Sequence, residues 1–289
     1  MKSKIRNTER TQILNLYYQE LDNLDLDFEL QTVETSFGDT NVIILENNKK
    51  PPLILVHGFF GCAPFAIQTI RGLEKHFKIY AIDILNEPNL SDAFHLNPFK
   101  KDHSKWFYEV LSRLQVYNAY FVGISLGGYI GFKTLTTNSK RIKKAFLINP
   151  TGVIKWNYFK VASHLLIPLI CYKNFNNDKY LNKIYNKLYP TINDLSLKYL
   201  SKKIQTSNLS SYKFPLISEQ EASLINTPLY IIASEDNFIY NGKLLINKAK
   251  KRFPSLKEVV FLKNAKYILS DKENKIVVNY ILENTNFEK

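Results

Sequence analysis

The chain has 289 residues, of which 45% are hydrophobic and 13% aromatic, and this composition excludes a chain that is disordered throughout. Its formal net charge of +13 comes from lysines spread along the sequence without an aromatic–basic recognition motif, so we expect no specific nucleic-acid binding. No apolar run approaches the ~20 residues that span a bilayer, and Met1 to Glu20 carry no signal-like apolar segment. These features predict a cytoplasmic protein without a transmembrane segment.

The N-terminal part of the chain combines a helical pattern with a strand pair. Apolar residues at helical spacing predict a helix over Ile13–Leu26. Two alternating stretches, Phe28–Thr35 and Asn41–Glu46, predict an antiparallel hairpin joined at Gly38-Asp39. The short apolar run Leu53–Val56 that follows is typical of a strand buried on both faces.

Strands and helices then alternate, which predicts a mostly parallel sheet with helices on both faces. The predicted helices lie at 63–75, 103–116 and 126–138, and the predicted strands at 79–82, 120–122 and 145–148. After Asn149-Pro150, roughly 70 residues show only helical patterns, before the alternation resumes with strands at 229–233 and 258–262 and helices at 242–252 and 272–284. We therefore predict an α/β core over 1–150 and 220–289, with a helical lid inserted at 151–219.

The pattern Gly123-Ile-Ser125-Leu-Gly127 stands directly after the predicted strand 120–122 and directly before a predicted helix. A serine on a sharp strand-to-helix turn requires small residues two positions to either side, because neighbouring backbones come too close for a Cβ atom. The context therefore predicts a nucleophile elbow that presents Ser125.

A second element, His57-Gly58-Phe59, follows the predicted strand 53–56. Together with the Ser125 elbow, it makes the chain resemble the α/β-hydrolases from about Val33 to the C-terminus. Within that fold, the chain looks closest to the lidded bacterial carboxylesterase-like members.

The resemblance implies roles for the residues around Ser125. The backbone amides of Phe59 and Leu126 are expected to form an oxyanion hole. Four residues are expected to be structural neighbours of the site: His57, Gly58, Gly123 and Gly127.

The acid expected by this resemblance follows the strand after the lid, in a pattern similar to G-E-x-D/E. This chain has Ser234-Glu235-Asp236-Asn237 there, which places Asn237 at the acid position. Asp236 and Glu235 are adjacent, and a slight shift of the loop could still present a carboxylate.

The base is expected in a segment that resembles A-G-H-x-x-x-x-E, where this chain has Asn264–Asp271. Lys266 is predicted at the histidine position. The last histidine of the chain is His164, so no histidine can come from this loop. A lysine is protonated at neutral pH, because its ordinary pKa is ~10.4, and it can act as a base only if burial lowers that pKa strongly.

Two functions remain open at the level of the sequence. One is a serine hydrolase of the esterase or thioesterase type with a non-standard base, either Lys266 or His164 from the lid. In that case five lid aromatics would line an acyl pocket: Trp156, Tyr158, Phe159, Tyr172 and Phe175. The other is a catalytically silent relative that binds a small apolar or acyl ligand or a protein partner.

A weaker hypothesis, contact of the lid run Leu165–Ile170 with a membrane surface, is opposed by Pro168 inside that run. No phosphate loop, dinucleotide fingerprint or metal-ligand cluster is present in the sequence, so we expect neither a cofactor nor a metal.

Overall fold

The computed structural model describes residues 2–46, 49–59, 61–138, 140–206 and 214–285. The strands are β1 Glu29–Thr35, β2 Gly38–Leu45, β3 Pro52–Val56, β4 Lys78–Ile82, β5 Ala119–Ile124, β6 Ile142–Ile148, β7 Leu229–Ser234 and β8 Leu256–Leu262. The helices of the core are α1 Lys2–Asp22, α2 Ala63–Thr69, α3 Asp102–Arg113, α4 Leu126–Thr137, α10 Gly242–Arg252 and α11 Asp271–Asn284. Between β6 and β7 lie α5 Tyr158–Val161, α6 Ile167–Phe175, α7 Asp178–Leu188, α8 Asp194–Thr206 and α9 Glu219–Ser223.

The strands form one sheet in the order β1-β2-β4-β3-β5-β6-β7-β8. β2 pairs antiparallel with β1 and β4, and every later neighbour pairs parallel. This mostly parallel sheet confirms the predicted α/β class. Because the carboxyl ends of parallel strands lie at one edge, the loops after β3, β5, β7 and β8 meet there.

The core is divided by the sheet into two apolar clusters, because successive side chains of a strand point to opposite faces. In β3, Ile54 and Val56 enter one cluster, and Leu53 and Leu55 enter the other. Helices α3, α4 and α10 contribute to the first cluster, and α1, α2 and α11 to the second. This arrangement explains why the sequence of β3 is apolar throughout instead of alternating.

The first hairpin differs from its prediction in the position of the turn. Thr35 pairs with Gly38, so the loop consists of residues 36 and 37, and Gly38 is already the first residue of β2. Gly38 has φ of +121°, a conformation that glycine adopts without strain.

The segment 151–206 is called the helical insertion below. Its first helix is continuous from α5 through a π-helical stretch, Ala162–Leu166, into α6. The predicted helical pattern Tyr180–Leu200 is divided into α7 and α8, because Pro190 cannot donate the backbone hydrogen bond that a continuing helix needs. Within the described residues, no helix combines the length and hydropathy that crossing a membrane requires.

Candidate active site

Ser125 stands at the turn between β5 and α4 with φ of 50° and ψ of −103°, a strained conformation for a residue with a side chain. The glycines beside it allow the close approach of two backbones. A Cβ atom on Gly127 would lie 2.2 Å from the carbonyl oxygen of Val56, and one on Gly123 would lie 2.8 Å from the carbonyl carbon of Gly127. The chain can make this turn only with glycine at both positions.

The loop after β3 lies directly against this turn. A Cβ atom on Gly58 would be 3.0 Å from the Cβ of Ser125, and the Gly127 amide donates to the His57 carbonyl at 3.0 Å. Leu126 is the first residue of α4, where a backbone amide has no acceptor within its own helix. Phe59 and Leu126 are both buried beside Ser125. Their role as oxyanion donors remains a prediction.

His57 is held as a neutral residue that braces this loop. Its Nδ1 donates to the Gly58 carbonyl at 2.9 Å, and its Nε2 accepts from the Ile84 amide at 3.0 Å. Burial lowers the pKa of His57 to about 3, so the ring is uncharged at neutral pH. Both ring nitrogens are occupied by the backbone, and neither is available to Ser125.

A chain of hydroxyl groups ends at Ser125. The Trp156 indole donates to the Tyr240 hydroxyl at 2.9 Å, and Tyr240 donates to Thr151 Oγ1 at 2.8 Å. Thr151 Oγ1 lies 3.4 Å from Ser125 Oγ. Either of these two hydroxyl groups can donate to the other. A base would have to remove the serine proton, and a neutral threonine hydroxyl group cannot do so at neutral pH.

Tyr267 occupies the place beside Ser125 that the sequence assigned to Lys266. The buried Tyr267 hydroxyl faces Ser125 without completing a hydrogen bond to any described group. Burial raises the pKa of Tyr267 far above its usual value, so its hydroxyl keeps its proton at neutral pH. Tyr267 is therefore a donor and not a base.

The side chain of Lys266, which the sequence placed at the histidine position, contacts the helical insertion instead of Ser125. Its ammonium donates to the carbonyls of Asn186 and Tyr189, at 2.9 and 3.0 Å. These carbonyls lie at the C-terminal end of α7, where a helix leaves acceptors unpaired and attracts cations. If the A-G-H pattern is aligned one residue later, with Ala265 at its first position, Tyr267 stands at the histidine position.

Asn237, at the predicted acid position, organises its own loop. Its Oδ1 accepts from the amides of Ile239 and Tyr240, at 3.0 and 3.2 Å, which fixes the orientation of the side-chain amide. Its buried Nδ2 has no hydrogen-bond partner in the described part of the chain. Asp236 is exposed to solvent, so the structure does not bury its carboxylate beside Ser125.

His164 contacts the side chain of Phe238 and not Ser125. The two rings pack edge to face with their centroids 6.0 Å apart. His164 lines a polar pocket of about 330 Å³ together with Asp236, Asn237 and Lys266, and Ser125 is not among the residues of its wall. The structure therefore does not bring the lid histidine to the nucleophile.

Ser125 is fully buried, and an aromatic cluster, called the aromatic cover below, is built on Phe59, the residue after Gly58. Phe59 packs edge to face on Trp156 and Phe214, at 6.1 and 5.5 Å between centroids, and Phe214 packs on Tyr129 at 5.0 Å. Of the five lid aromatics proposed for an acyl pocket, Trp156 joins this cover and Tyr172 is buried with its hydroxyl on Ser201. The other three are exposed: Tyr158, Phe159 and Phe175.

The strand order and the strained serine elbow define an α/β-hydrolase fold. A family model for the alpha/beta hydrolase fold matches residues 51–168, which include the elbow. The chain is thus an α/β-hydrolase-fold protein, similar along most of its length to bacterial carboxylesterases.

Two relatives from Bacillus subtilis, one of them also compared as a crystal structure, illustrate this similarity. The chain is 23% identical to an uncharacterized carboxylesterase, nap, over 82% of this chain and 80% of that protein. It is 24% identical to carboxylesterase YbfK, over 92% of this chain and 90% of that protein. The crystal structure of carboxylesterase CesB (YbfK) superposes with a TM-score of 0.81 at 21% identity, covering 96% of this chain and 98% of that one.

Proposed function

We propose that this protein binds a small acyl or apolar ligand at the Ser125 elbow and does not hydrolyse esters at the rate of a serine hydrolase. One observation carries the proposal. Among the described residues, the groups that face Ser125 Oγ are the hydroxyls of Thr151 and Tyr267, and neither can accept a proton readily at neutral pH.

The loss of a base has a large kinetic effect, because a serine hydroxyl is a weak nucleophile until a neighbouring group removes its proton. General base catalysis contributes ~10²–10⁴-fold, and the members of a triad act as a unit. The Ser125 elbow and the loop of Gly58 can still bind a carbonyl group, because that binding requires donors and space but no proton transfer.

The second candidate is a slow esterase, and the similarity to carboxylesterase YbfK favours it. In that case the Ser125 hydroxyl attacks without a dedicated base, and the amides of Phe59 and Leu126 stabilise the oxyanion. Such a residual mechanism gives ~10³–10⁴-fold over water in enzymes that have lost a triad member.

A fluorophosphonate probe separates the two candidates, because it reacts with an activated serine. We expect the intact mass of the wild-type protein to stay unchanged after an hour with excess probe. Ser163→Ala, which removes a half-buried serine of the helical insertion, is the matched control for Ser125→Ala. Stoichiometric labelling that only Ser125→Ala abolishes would overturn the proposal and establish the esterase.

Ligand binding is tested with a medium-chain methyl ketone, which presents a carbonyl but has no leaving group. We expect it to raise the Tm of the wild-type protein and not that of Ser125→Phe, in which the larger side chain fills the space beside Gly58. An equal shift in both proteins, or no shift in either, would contradict binding at the elbow.

A further inference from the structure

The first helix of the helical insertion is apolar on two sides. Its inner side is buried against the rest of the protein through Val161, Leu165, Leu169 and Tyr172. Its outer side carries four large apolar or aromatic side chains that are exposed to solvent: Tyr158 (69%), Phe159 (83%), Ile167 (57%) and Ile170 (51%). We call these four residues the outer apolar face. A helix that folds only against its own core needs one apolar stripe, so this second one requires another explanation.

The π-helical stretch Ala162–Leu166 helps to bring these residues together. Its i→i+5 hydrogen bonds add a residue to the turn between α5 and α6, which rotates Ile167 toward the side on which Phe159 lies. Pro168, which was expected to interrupt the apolar run, does not end this helix, which continues through α6 to Phe175. It directly follows the π-helical stretch, where the regular i→i+4 hydrogen-bond pattern of the backbone is already interrupted.

The charge around the outer apolar face is strongly positive. The helical insertion, residues 151–206, contains nine lysines, two aspartates and no glutamate or arginine, a net charge of +7 out of +13 for the whole chain. Lys155 and Lys160 lie just before and just after Tyr158 and Phe159, Lys173 follows Ile170 by three residues, and all three lysines are exposed. One of the nine lysines, Lys203, is buried in an ion pair with Glu87, which leaves +6 (+7 − 1) for the rest of the segment that exposes these apolar side chains.

We propose that the outer apolar face docks this protein on an anionic lipid bilayer surface. Exposed apolar side chains gain free energy by entering the boundary between headgroups and acyl chains, and lysines beside them attract anionic headgroups. A second copy of the chain is the poorer occupant, because it would bring the same exposed lysines, Lys155, Lys160 and Lys173, against themselves. This inference does not depend on whether Ser125 is reactive.

Vesicle flotation tests the proposal with the full-length protein. We expect the protein to float with vesicles of phosphatidylcholine and phosphatidylglycerol, to stay at the bottom with pure phosphatidylcholine, and to be released by high salt. The variant Phe159→Ser/Ile167→Ser/Ile170→Ser should partition at least about tenfold less onto the anionic vesicles, because apolar burial and charge both contribute to such binding.

The matched control is Phe99→Ser/Leu224→Ser/Ile276→Ser, which removes three exposed apolar side chains of the α/β core, exposed by 72%, 57% and 43%. It should float like the wild type. Circular dichroism and Tm verify that both triple variants are folded. A wild type that stays unbound at low salt, or an outer-face variant that floats as well as the control, would overturn the proposal. A dimer in light scattering that only the outer-face variant dissociates, without flotation of the wild type, would assign the face to a second copy instead.

Discussion

The two halves of the candidate active site differ in what fixes their residues. On the nucleophile side, the turn of Ser125 is determined by packing, since a Cβ atom on Gly127 would overlap the Val56 carbonyl. On the side of β7 and β8, the loops hold Asn237 and Tyr267, two polar residues whose buried Nδ2 and hydroxyl groups have no hydrogen-bond partner among the described residues. The first half is required by the fold whether or not the protein turns over a substrate. A serine elbow therefore identifies the fold, and the second half decides the chemistry.

Breaking the nucleophile side should have the largest effect. We expect Gly127→Ala to lower the free energy of unfolding by more than about 4 kcal/mol, or to prevent folding, because its Cβ would meet backbone atoms that cannot move aside. The control is Gly61→Ala, whose Cβ would meet its nearest neighbour, the Gly58 carbonyl oxygen, at 3.7 Å. Urea denaturation measures both. Equal stability of the two variants would show that the elbow is not held by sterics.

Placing a histidine and an acid in the loops after β7 and β8 should raise the esterase activity. We expect Tyr267→His combined with Asn237→Asp to increase nitrophenyl ester hydrolysis by about 10²–10⁴-fold, because Tyr267 is the residue that faces Ser125. The single variants should gain much less, since triad members act together.

The matched control for this repair is Lys266→His combined with Asn237→Asp. It should stay at the wild-type rate, because the Lys266 side chain points to the end of α7. Faster ester hydrolysis by Lys266→His combined with Asn237→Asp than by the wild type would show that residue 266 lies at the base position.

The aromatic cover contributes a pH dependence of stability. Burial lowers the pKa of His103, which packs on Tyr129 and Phe214, to about 4 from its ordinary value of 6.5. As the pH falls, His103 is therefore protonated in the unfolded chain before it is protonated in the folded protein. The stability that neutral His103 contributes is complete above about pH 6.5 and is lost toward pH 4, by about 3 kcal/mol at most.

We expect His103→Phe to remove this part of the pH dependence, so that its free energy of unfolding falls less than that of the wild type between pH 6.5 and 4. Urea denaturation at several pH values gives the comparison. His95→Asn, in an exposed loop, should follow the wild-type curve. Parallel curves for His103→Phe and wild type would mean that His103 is solvated in the folded protein.

The smallest expected effects concern the hydroxyl groups of Tyr267 and Tyr240. Tyr267→Phe should change the free energy of unfolding little or raise it by up to ~1 kcal/mol, because it removes a buried hydroxyl that lacks a complete hydrogen bond. Tyr240→Phe should lower it by ~1–2 kcal/mol, because it leaves the Trp156 indole without its acceptor. If Tyr267→Phe lowered the free energy of unfolding more than Tyr240→Phe, the Tyr267 hydroxyl would be the group that holds Ser125, and not the hydrogen-bond chain through Tyr240 and Thr151.

The fold could be predicted from the sequence because its signals are long and redundant. The buried strand Leu53–Val56, the helix 242–252 and the elbow of Ser125 each carry a local pattern that the structure reproduces. The sequence did not indicate that Tyr267 faces Ser125, because this depends on register at the end of β8, where one residue decides which side chain points inward. The position of Ile167 on the same side as Phe159 could not be predicted either, since it follows from a π-helical stretch that leaves no periodic mark in the sequence.

The hydrogen-bond chain that ends at Ser125 also gives the protein an internal optical reporter. The protein contains two tryptophans. Trp106 is fully buried, and its indole donates to Thr40 at 2.8 Å, outside this hydrogen-bond chain. Trp156 instead belongs to both the aromatic cover and the hydroxyl chain, through Phe59 and Tyr240. We expect a ligand bound beside Ser125 to disturb these contacts and so to change the emission of Trp156 more than that of Trp106. Occupancy of the site can thus be followed by fluorescence without a label.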